Sequence, residues 1–264
     1  MLTSRAEIVR RESLAELRKL AGWFSAKHGV TIVLLGGWAV YSYNPYLGSF
    51  DIDCLGPKDP FMLHLNLYMN ANGYVLEPES PFGAAAESWK KPVYQDDAKI
   101  DDIYIDACDF EFRNLFREDP SKEIPYNICL KKQFITRRQI DGEYFWVPIK
   151  ELLFLYKAKA ARDRQHLIAY ETLPLEHLER LRGKVEKDHS DMTALLDQRF
   201  GGPLNGSILG DLIREYHLSL IAETISDLPR QPSVKEYAFK RQIDIDEIQQ
   251  WSDKILLDSG IEQG

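Results

Sequence analysis

Three aspartates on two alternating segments are the residues of this chain best suited to metal chemistry. Asp51 and Asp53 alternate with apolar residues in F-D-I-D-C-L (50–55). On a β-strand both carboxylates would point to one face, with Cα atoms roughly 6.5 to 7 Å apart. Two carboxylates so close repel each other unless a cation lies between them, and a hard divalent cation prefers such oxygen ligands. A bare D-x-D is also typical of an ordinary solvated strand, so the motif alone decides nothing.

The third aspartate follows on a later strand. In I-Y-I-D (103–106) the two isoleucines face one way and Asp106 faces the other. If this strand neighbours the D-x-D strand, three carboxylates converge. They could then hold two Mg²⁺ ions, which bridge phosphate oxygens and help ionise an attacking hydroxyl. Asp102 lies on the same face and competes for this role, whereas Asp101 shares the isoleucine face and Asp109 lies beyond the apolar run.

A glycine pair precedes the acids. Gly36 and Gly37 follow the apolar segment T-I-V-L-L (31–35) and lead into a short predicted helix, 38–43. Glycines at such a place let a phosphate approach backbone N–H groups at a helix N-terminus. The pair lacks the Lys-Ser/Thr of a Walker A loop and the third glycine of a dinucleotide fingerprint. A plain tight turn between strand and helix is therefore the alternative.

The elements that would position these residues are predicted from periodicity and from helix and strand breakers. A capping box at Ser4 and Glu7 opens a helix that is predicted to end near Ala26. Pro, Gly and Ala within 77–97 predict a mobile loop, in which Trp89 could stack on a base. The other predicted elements of this half are strands at 31–35, 50–55 and 99–108, a helix from Asp59-Pro60 to Gly73, and two strands within 128–147 joined by a turn at Asp141-Gly142.

The character of the sequence changes after Pro148. Residues 150–161 are a strongly helical run rich in Leu and Ala, and most of the remaining sequence has a helical pattern interrupted by Gly and Pro. We therefore predict an α+β fold, in which residues 1–148 form a mixed β-sheet flanked by helices and residues 149–264 form a helical domain.

Taken together, these motifs resemble the DNA-polymerase-β-type nucleotidyltransferase superfamily. Within it the chain most resembles the AbiEii-like and related minimal nucleotidyltransferases of bacteria and archaea. The resemblance is carried by L-L-G-G-W-A-V-Y, then S-x-D-I-D, then I-D on a later strand, with Gly37 preceding Asp51 by about a dozen residues. Many relatives carry an arginine and a threonine just ahead of D-x-D, where this chain has Leu47 and Ser49.

A second block is similar to the helical signature of the same family. It consists of V-P-I-K-E-L-L (147–153), then Lys157, Ala160 and Arg164, and then K-D-x-x-D (187–191). The basic residues could equally be a solvated helix face, and K-D-x-x-D could be a plain charge pattern on a helix. The segment after about residue 200 matches nothing in the family.

The resemblance implies metal-dependent transfer of a nucleoside monophosphate from a nucleoside triphosphate to an acceptor hydroxyl, with release of pyrophosphate. It assigns Asp51 and Asp53 to both metal ions, and Asp106 to the catalytic ion, Mg²⁺ or Mn²⁺. The residues implied to contact or orient the nucleotide are Gly36, Gly37, Ser49, Lys157, Arg164, Lys187 and Asp188. The implied acceptor is tRNA or protein, as in toxin-like relatives that have an antitoxin partner, or a small molecule.

Composition and charge limit the classes of protein to which this chain can belong. The 264 residues are 44% hydrophobic and 28% charged, as in ordinary globular proteins, and the net charge of −8 argues against a protein that coats nucleic acid non-specifically. Three cysteines without a C-x-x-C argue against structural zinc and disulfides and indicate a reducing, cytoplasmic setting. The uncharged stretch 29–50 is a poor fit for a continuous membrane helix, because it contains several Gly and Tyr residues together with Asn44 and Pro45. The first residues carry charge early and lack an apolar core, so no signal peptide is expected there.

Other functions stay open at this point. A glycosyltransferase could use D-x-D to hold Mn²⁺ and a nucleotide sugar without needing the glycine pair or Asp106. A non-catalytic module could keep the fold for nucleotide or partner binding. Two basic clusters with aromatic residues nearby could contact an RNA acceptor or form a solvated hairpin: Lys131-Lys132 and Arg137-Arg138, with Phe134, Tyr144 and Phe145.

Overall fold

The chain forms a unit built on a sheet and a unit built of helices. The computed structural model describes residues 4–28, 30–77 and 87–260. The sheet unit comprises Met1–Arg113 and Pro125–Ile149, and the helical unit comprises Asn114–Ile124 and Lys150–Gly264. The helical unit thus includes a short segment that interrupts the sheet unit in sequence. A mixed sheet with flanking helices, followed by a helical region, confirms the predicted α+β class.

A mixed sheet of seven strands forms the centre of the sheet unit. Its strands are β1 (Val33–Leu34), β2 (Ile52–Gly56), β3 (Val75–Glu77), β4 (Glu87–Gln95), β5 (Ala98–Asp109), β6 (Ile135–Ile140) and β7 (Glu143–Pro148). Their order across the sheet is β3-β4-β5-β2-β1-β7-β6. The pairs β2–β5 and β1–β7 are parallel, and the other neighbours are antiparallel. The two candidate acidic strands, β2 and β5, are therefore direct neighbours.

In the part of this unit that the structure describes, three α-helices accompany the sheet: α1 (Arg5–Gly22), α2 (Gly36–Tyr43) and α3 (Lys58–Ala71). The predicted capping box is confirmed at α1, because the Glu7 backbone N–H donates to Ser4 Oγ and the Ser4 N–H donates to Glu7 Oε2. Helix α1 continues as a π-helical segment, Trp23–His28. Ile8 of α1 packs against Ile103 of β5 in a buried cluster. The isoleucine face of β5 is thus the core face, as its alternation predicts.

Several element boundaries differ from the predicted ones. The predicted strand 31–35 is shortened to β1, Val33–Leu34, and α2 begins at Gly36 rather than at residue 38. Strand β2 begins at Ile52, so Asp51 lies just ahead of it. A strand ends where its neighbours stop supplying hydrogen-bond partners, and the alternation of residue types along one segment does not contain that information.

The predicted mobile loop at 77–97 is wrong for its second half. Residues 78–86 lie outside the described residues, but Glu87–Gln95 forms β4, paired with β5 along its length. Pro92 is tolerated because the pairing with β3 extends only to Lys90, so that Pro92 lies where β4 is the sheet edge. Trp89 is 4% exposed and pairs with Ile105, so it cannot stack on a base as predicted.

The predicted hairpin within 128–147 is confirmed. Strands β6 and β7 are antiparallel and are joined at Asp141 and Gly142, which have φ angles of 48° and 90°. Positive φ at both central positions is the geometry that a two-residue hairpin turn with an Asp-Gly sequence adopts. Residues ahead of β6 form short 3₁₀ turns at Tyr126–Leu130 and Lys132–Phe134 instead of a strand.

The described residues of the second unit, up to residue 260, form six α-helices: α4 (Lys150–Tyr170), α5 (Leu175–Leu196), α6 (Gly206–Glu215), α7 (Ile221–Ser226), α8 (Pro232–Arg241) and α9 (Ile245–Asp258). Helix α4 is buried along most of its length. Its first turn holds the connection between α5 and α6, since Lys150 Nζ donates to the carbonyls of Phe200 and Gly202 at 2.9 and 2.6 Å. No helix in the described part of the chain is both long enough and apolar enough to cross a membrane.

Candidate functional site

The acids of β2 and β5 are brought together by the register of the sheet. Asp53 lies opposite Asp106 in the parallel pair, so both side chains point to the same face from strands about 4.8 Å apart. Both residues are partly exposed, whereas Ile52 and Ile105 on the other face are fully buried. Two carboxylates in this arrangement create a local negative charge that favours a cation.

The glycine bend lies directly against one of these acids. Gly36 has a φ of +61°, and a Cβ atom added there would sit 1.8 Å from Asp53 Oδ2 and 2.6 Å from its Cγ. The preceding Leu35 N–H donates to the carbonyl of Asp53 at 2.8 Å. Only glycine fits this position, because any side chain would occupy the space of the carboxylate and would also be strained by the positive φ.

Asp106 is also held from the opposite side. Ser88 of β4 is its register partner, and the Ser88 hydroxyl donates to Asp106 Oδ1 at 2.6 Å. Ser88 is 2% exposed, so this hydrogen bond fixes the carboxylate within the protein. Ser88, Asp106 and Asp53 thus form one row across three strands.

The competing acids of β5 are placed elsewhere. Asp102 is opposite Pro92, four residues along β5 from Asp106, and accepts a hydrogen bond from Lys99 Nζ at 2.8 Å. Asp101 is paired with Arg5 of α1 at 3.3 Å. The register therefore favours Asp106 as the partner of Asp53.

The remaining predicted residues of the sheet unit lie nearby in sequence but are not joined into a closed ligand set. Asp51 is partly exposed just ahead of β2, Ser49 is 5% exposed, and Gly37 is buried in the first turn of α2. Among residues 4–28, 30–77 and 87–260, no three His, Cys, Asp or Glu side chains are arranged to hold a metal ion. The protein itself thus supplies a carboxylate pair, and the predicted cage of three carboxylates stays a prediction.

The carboxylates influence the neutral groups around them. Burial raises the pKa of the Cys54 thiol well above its usual value, and the charges of Asp53, Cys108 and Asp106 raise it further. Burial likewise raises the pKa of the Tyr126 phenol, with contributions from Cys108, Asp53 and Asp106. Both shifts favour the protonated, neutral form of these groups.

The second predicted block forms an ion-pair network between α4 and α5. Lys157 Nζ lies 3.1 Å from Asp188 Oδ1 and 2.8 Å from Asp191 Oδ2. Arg164 pairs with the other oxygen of Asp188, and Lys187 Nζ lies 3.0 Å from Asp191 Oδ2. The packing of α4 against α5 brings these residues together across the roughly twenty residues that separate Arg164 from Lys187.

This network is largely buried. Lys157, Asp188 and Asp191 are 7%, 3% and 3% exposed. Burial alone would raise the pKa of Asp188, but the positive charges of Arg164, Lys157 and Lys187 outweigh it and lower the pKa below its usual value. The interpretation of Lys157 as part of a solvated basic face is therefore wrong: it is an interior cation held by two carboxylates.

Two residues that lie near the acids, Ser88 and Tyr126, are not identified from the sequence. Ser88 lies in the segment 77–97, whose Pro, Gly and Ala content predicts a loop. Tyr126 comes near the acids from a 3₁₀ turn that begins 17 residues after the end of β5. Treating E-S-W-K-K as an alternating strand would have placed Ser88 and Lys90 on one face and would have identified the serine. No local signal points to Tyr126.

Comparison with known proteins gives matches among solved structures and none among family models or curated sequences. Similar solved structures include a solution structure of the antibiotic-resistance factor ANT(2'')-Ia, with 12% identity over 72% of this chain and 94% of that chain and a TM-score of 0.38. Another is a crystal structure of ANT(2'')-Ia in complex with adenylyl-2''-tobramycin, with 14% identity over 71% of this chain and 99% of that chain and a TM-score of 0.38. A superposition this loose transfers no residue roles.

Proposed function

We propose that this protein is a nucleotidyltransferase, which moves a nucleoside monophosphate from a nucleoside triphosphate to an acceptor hydroxyl. The observation that carries the proposal is the placement of Asp53 opposite Asp106 on parallel neighbouring strands, with the Gly36 bend against the Asp53 carboxylate. The acceptor oxygen would form a bond to the α-phosphorus, the bond from that phosphorus to the bridging oxygen would break, and pyrophosphate would leave.

The donor set fits a divalent cation that is shared with a substrate. Mg²⁺ is usually bound by one or two carboxylates together with substrate phosphates and water, rather than by an all-protein cage. A pair of aspartates therefore suffices, with Asp51 as an additional oxygen ligand. When bound, Mg²⁺ or Mn²⁺ would neutralise phosphate charge and lower the pKa of the attacking hydroxyl. The Asp106 carboxylate would hold that hydroxyl's proton, and the Ser88 hydroxyl would keep the carboxylate in place.

The start of α2 is suited to the β- and γ-phosphates. Helix α2 begins at Gly36, and the residue before it, Leu35, provides no side-chain cap. The N–H groups of a first helical turn attract anions, and the absence of side chains on Gly36 and Gly37 lets phosphate oxygens come close. Ser49 is proposed to contribute a hydroxyl to the same phosphates.

In the helical unit, the cations of the ion-pair network between α4 and α5 are proposed to bind the nucleotide. Lys157, Arg164 and Lys187 bring three positive charges to the two carboxylates of Asp188 and Asp191. We propose that the buried pair of Lys157 and Asp188 holds Arg164 in place for binding of the triphosphate, since phosphoryl transfer depends mainly on positioning and charge neutralisation. Arg164→Ala should raise the KM for the triphosphate more than it lowers kcat.

The test is incubation with each of the four α-labelled triphosphates, Mg²⁺ and total cell extract. Label should move to RNA, protein or a small molecule, and both Asp53→Asn and Asp106→Asn should abolish the transfer. Asp102→Asn is the matched control, because it removes a carboxylate from the same face of β5 outside the pair and should retain activity. Chelation of the metal should stop the wild-type reaction.

Other outcomes would decide between the remaining functions. Full metal-dependent activity of Asp106→Asn, with a nucleotide sugar as donor, would favour the D-x-D glycosyltransferase. Binding of a triphosphate without turnover across all acceptors would favour a non-catalytic module. Membership of the AbiEii-like branch, a cytoplasmic location and an antitoxin partner belong to the same proposal, and a stable complex with the product of a neighbouring gene would support the last of these.

A further inference from the structure

The β6–β7 hairpin carries an exposed cluster of one guanidinium and two aromatic rings. Arg137 is the register partner of Trp146, and Tyr144 lies two residues away on the same face of β7. The Arg137 guanidinium carbon is 5.2 Å from the centre of the Tyr144 ring and 6.0 Å from that of Trp146. We call these three residues the hairpin platform.

The platform faces outward within its unit. Tyr144 is 59% exposed and Trp146 is 36% exposed. The opposite face of the same hairpin is the core side, where Phe145 is buried and Arg138 lies over the Tyr43 ring at 4.5 Å and donates to the Ser42 carbonyl. The adjacent residues Arg137 and Arg138 thus have different environments. Arg138 contacts the protein interior, whereas Arg137 presents its stacked guanidinium to solvent.

The charge around the platform is opposite to that of the whole chain. Between Pro125 and Ile149 there are four cationic residues and two acidic ones, which gives a local charge of +2 in a chain of −8. Lys131 and Lys132 are both exposed, and Lys131 lies over the Phe134 ring at 5.9 Å. This charge pattern is complementary to a phosphate backbone.

We propose that the hairpin platform binds an unpaired nucleic-acid strand, which would make such a strand the acceptor of the nucleotidyl group. Bases stack on exposed aromatic rings and on guanidinium planes, while cations beside them follow the phosphates. Unpaired bases are required because a duplex keeps the flat faces of its bases stacked on one another. Only the statement that the bound strand is the acceptor rests on the proposed function. The binding of the strand to the platform does not depend on catalysis.

The register of the sheet places the platform on the catalytic face. Trp146 pairs with Val33, Val33 pairs with Leu55, and Leu55 lies two residues after Asp53 on the same side of β2. Asp53 and Trp146 are therefore on one face, two strands apart and displaced by two residues. Strand spacing and rise put their Cα atoms roughly 12 Å apart. Val33 and Leu55, which lie between them on this face, are 1% exposed, so a bound strand would pass over the part of the protein that covers these two residues before its terminal hydroxyl reaches the acid pair.

The experiment measures binding of a fluorescent twelve-nucleotide single strand, as RNA and as DNA, by anisotropy to the full-length protein. The wild type should bind the single strand more tightly than the corresponding duplex, and binding should weaken as salt is raised. The double variant Tyr144→Ala/Trp146→Ala should bind at least tenfold more weakly, and Arg137→Ala about tenfold more weakly.

Matched controls separate the platform from general effects. Phe239→Ala removes an aromatic ring that is 86% exposed, and Arg230→Ala removes an arginine whose side chain is 77% exposed, both in the helical unit. These variants should bind within twofold of the wild type. Equal loss in platform and control variants, or equal affinity for single strand and duplex, would overturn the proposal.

Two further measurements keep this inference separate from the proposed function. Asp53→Asn should bind the single strand as the wild type does, although it should not transfer label. If the wild type transfers label to protein or a small molecule but binds no single strand, the platform proposal fails and the nucleotidyltransferase proposal stands. A dimer that Trp146→Ala dissociates would show that a second copy covers this face and would also overturn the inference.

Discussion

Replacing Gly36 by alanine tests the contact on which the proposed site depends. The added Cβ would lie 1.8 Å from Asp53 Oδ2, whereas Cβ atoms keep at least 3.0 Å from such neighbours, so the oxygen would have to move by about 1.2 Å. Misplacement of a catalytic group by about 1 Å can reduce a rate 10²-fold. The positive φ of +61° adds strain of roughly 1–2 kcal/mol. Gly36→Ala should therefore lose transfer activity about 100-fold while the fold survives.

The matched control is Gly73→Ala. Gly73 has a φ of +75° in the same unit, but a Cβ there would meet nothing within 4 Å. This variant carries similar backbone strain without touching the acids, so it should lose roughly 1–2 kcal/mol of unfolding free energy and keep its activity. The assays are single-turnover transfer from an α-labelled triphosphate and urea unfolding followed by circular dichroism. Equal activity in the two variants would refute the role given to the Gly36–Asp53 contact.

Two further predictions concern groups that hold charged side chains in place. Ser88→Ala removes the 2.6 Å hydrogen bond to Asp106, so it should lower the rate of transfer about tenfold and the unfolding free energy by about 1 kcal/mol. The control is Ser121→Ala, which removes a 2.6 Å hydrogen bond from a hydroxyl to a carboxylate on an exposed loop and should leave transfer unchanged. Asp188→Asn leaves buried cations without their partner and should lower the unfolding free energy by about 3–5 kcal/mol at pH 7. Folding lowers the pKa of Asp188 below its usual value of 3.8. The stabilisation of the fold by the ionised Asp188 is therefore fully present above pH 3.8 and is lost as the pH falls through the pKa of the folded state. Urea unfolding of the wild type and of Asp188→Asn at pH 7 and pH 3 measures this stabilisation. A loss of unfolding free energy in the variant that is as large at pH 3 as at pH 7 would contradict the prediction.

Much of the fold is predictable where the signal is local. The capping box at Ser4 and the Asp-Gly turn at 141–142 depend on residues a few positions apart, and both are confirmed. The buried isoleucines of β5 follow from simple alternation, as does the outward direction of Asp106. The helical character of the chain after Pro148 is likewise a property of short windows of sequence.

The failures occur where the outcome depends on distant partners. The Pro, Gly and Ala content of 77–97 predicts a loop around Trp89, yet β5 supplies the hydrogen bonds that make Glu87–Gln95 a strand. Ser88 is missed for the same reason. The burial of Lys157 cannot be inferred from α4 alone, because the two carboxylates that accept it come from α5.

The amino-acid sequence by itself determined the chemical types present, the side of each strand on which Asp53 and Asp106 lie, and the turn that Gly36 and Gly37 allow after the apolar segment. These are consequences of backbone geometry within one segment. Tertiary structure alone decided that β2 and β5 are parallel neighbours, that Asp53 rather than another residue faces Asp106, and that Gly36 touches the carboxylate. Strand order and register arise from the packing of the entire sheet, and a shift of one residue would have turned the acids away from each other without any change in sequence pattern.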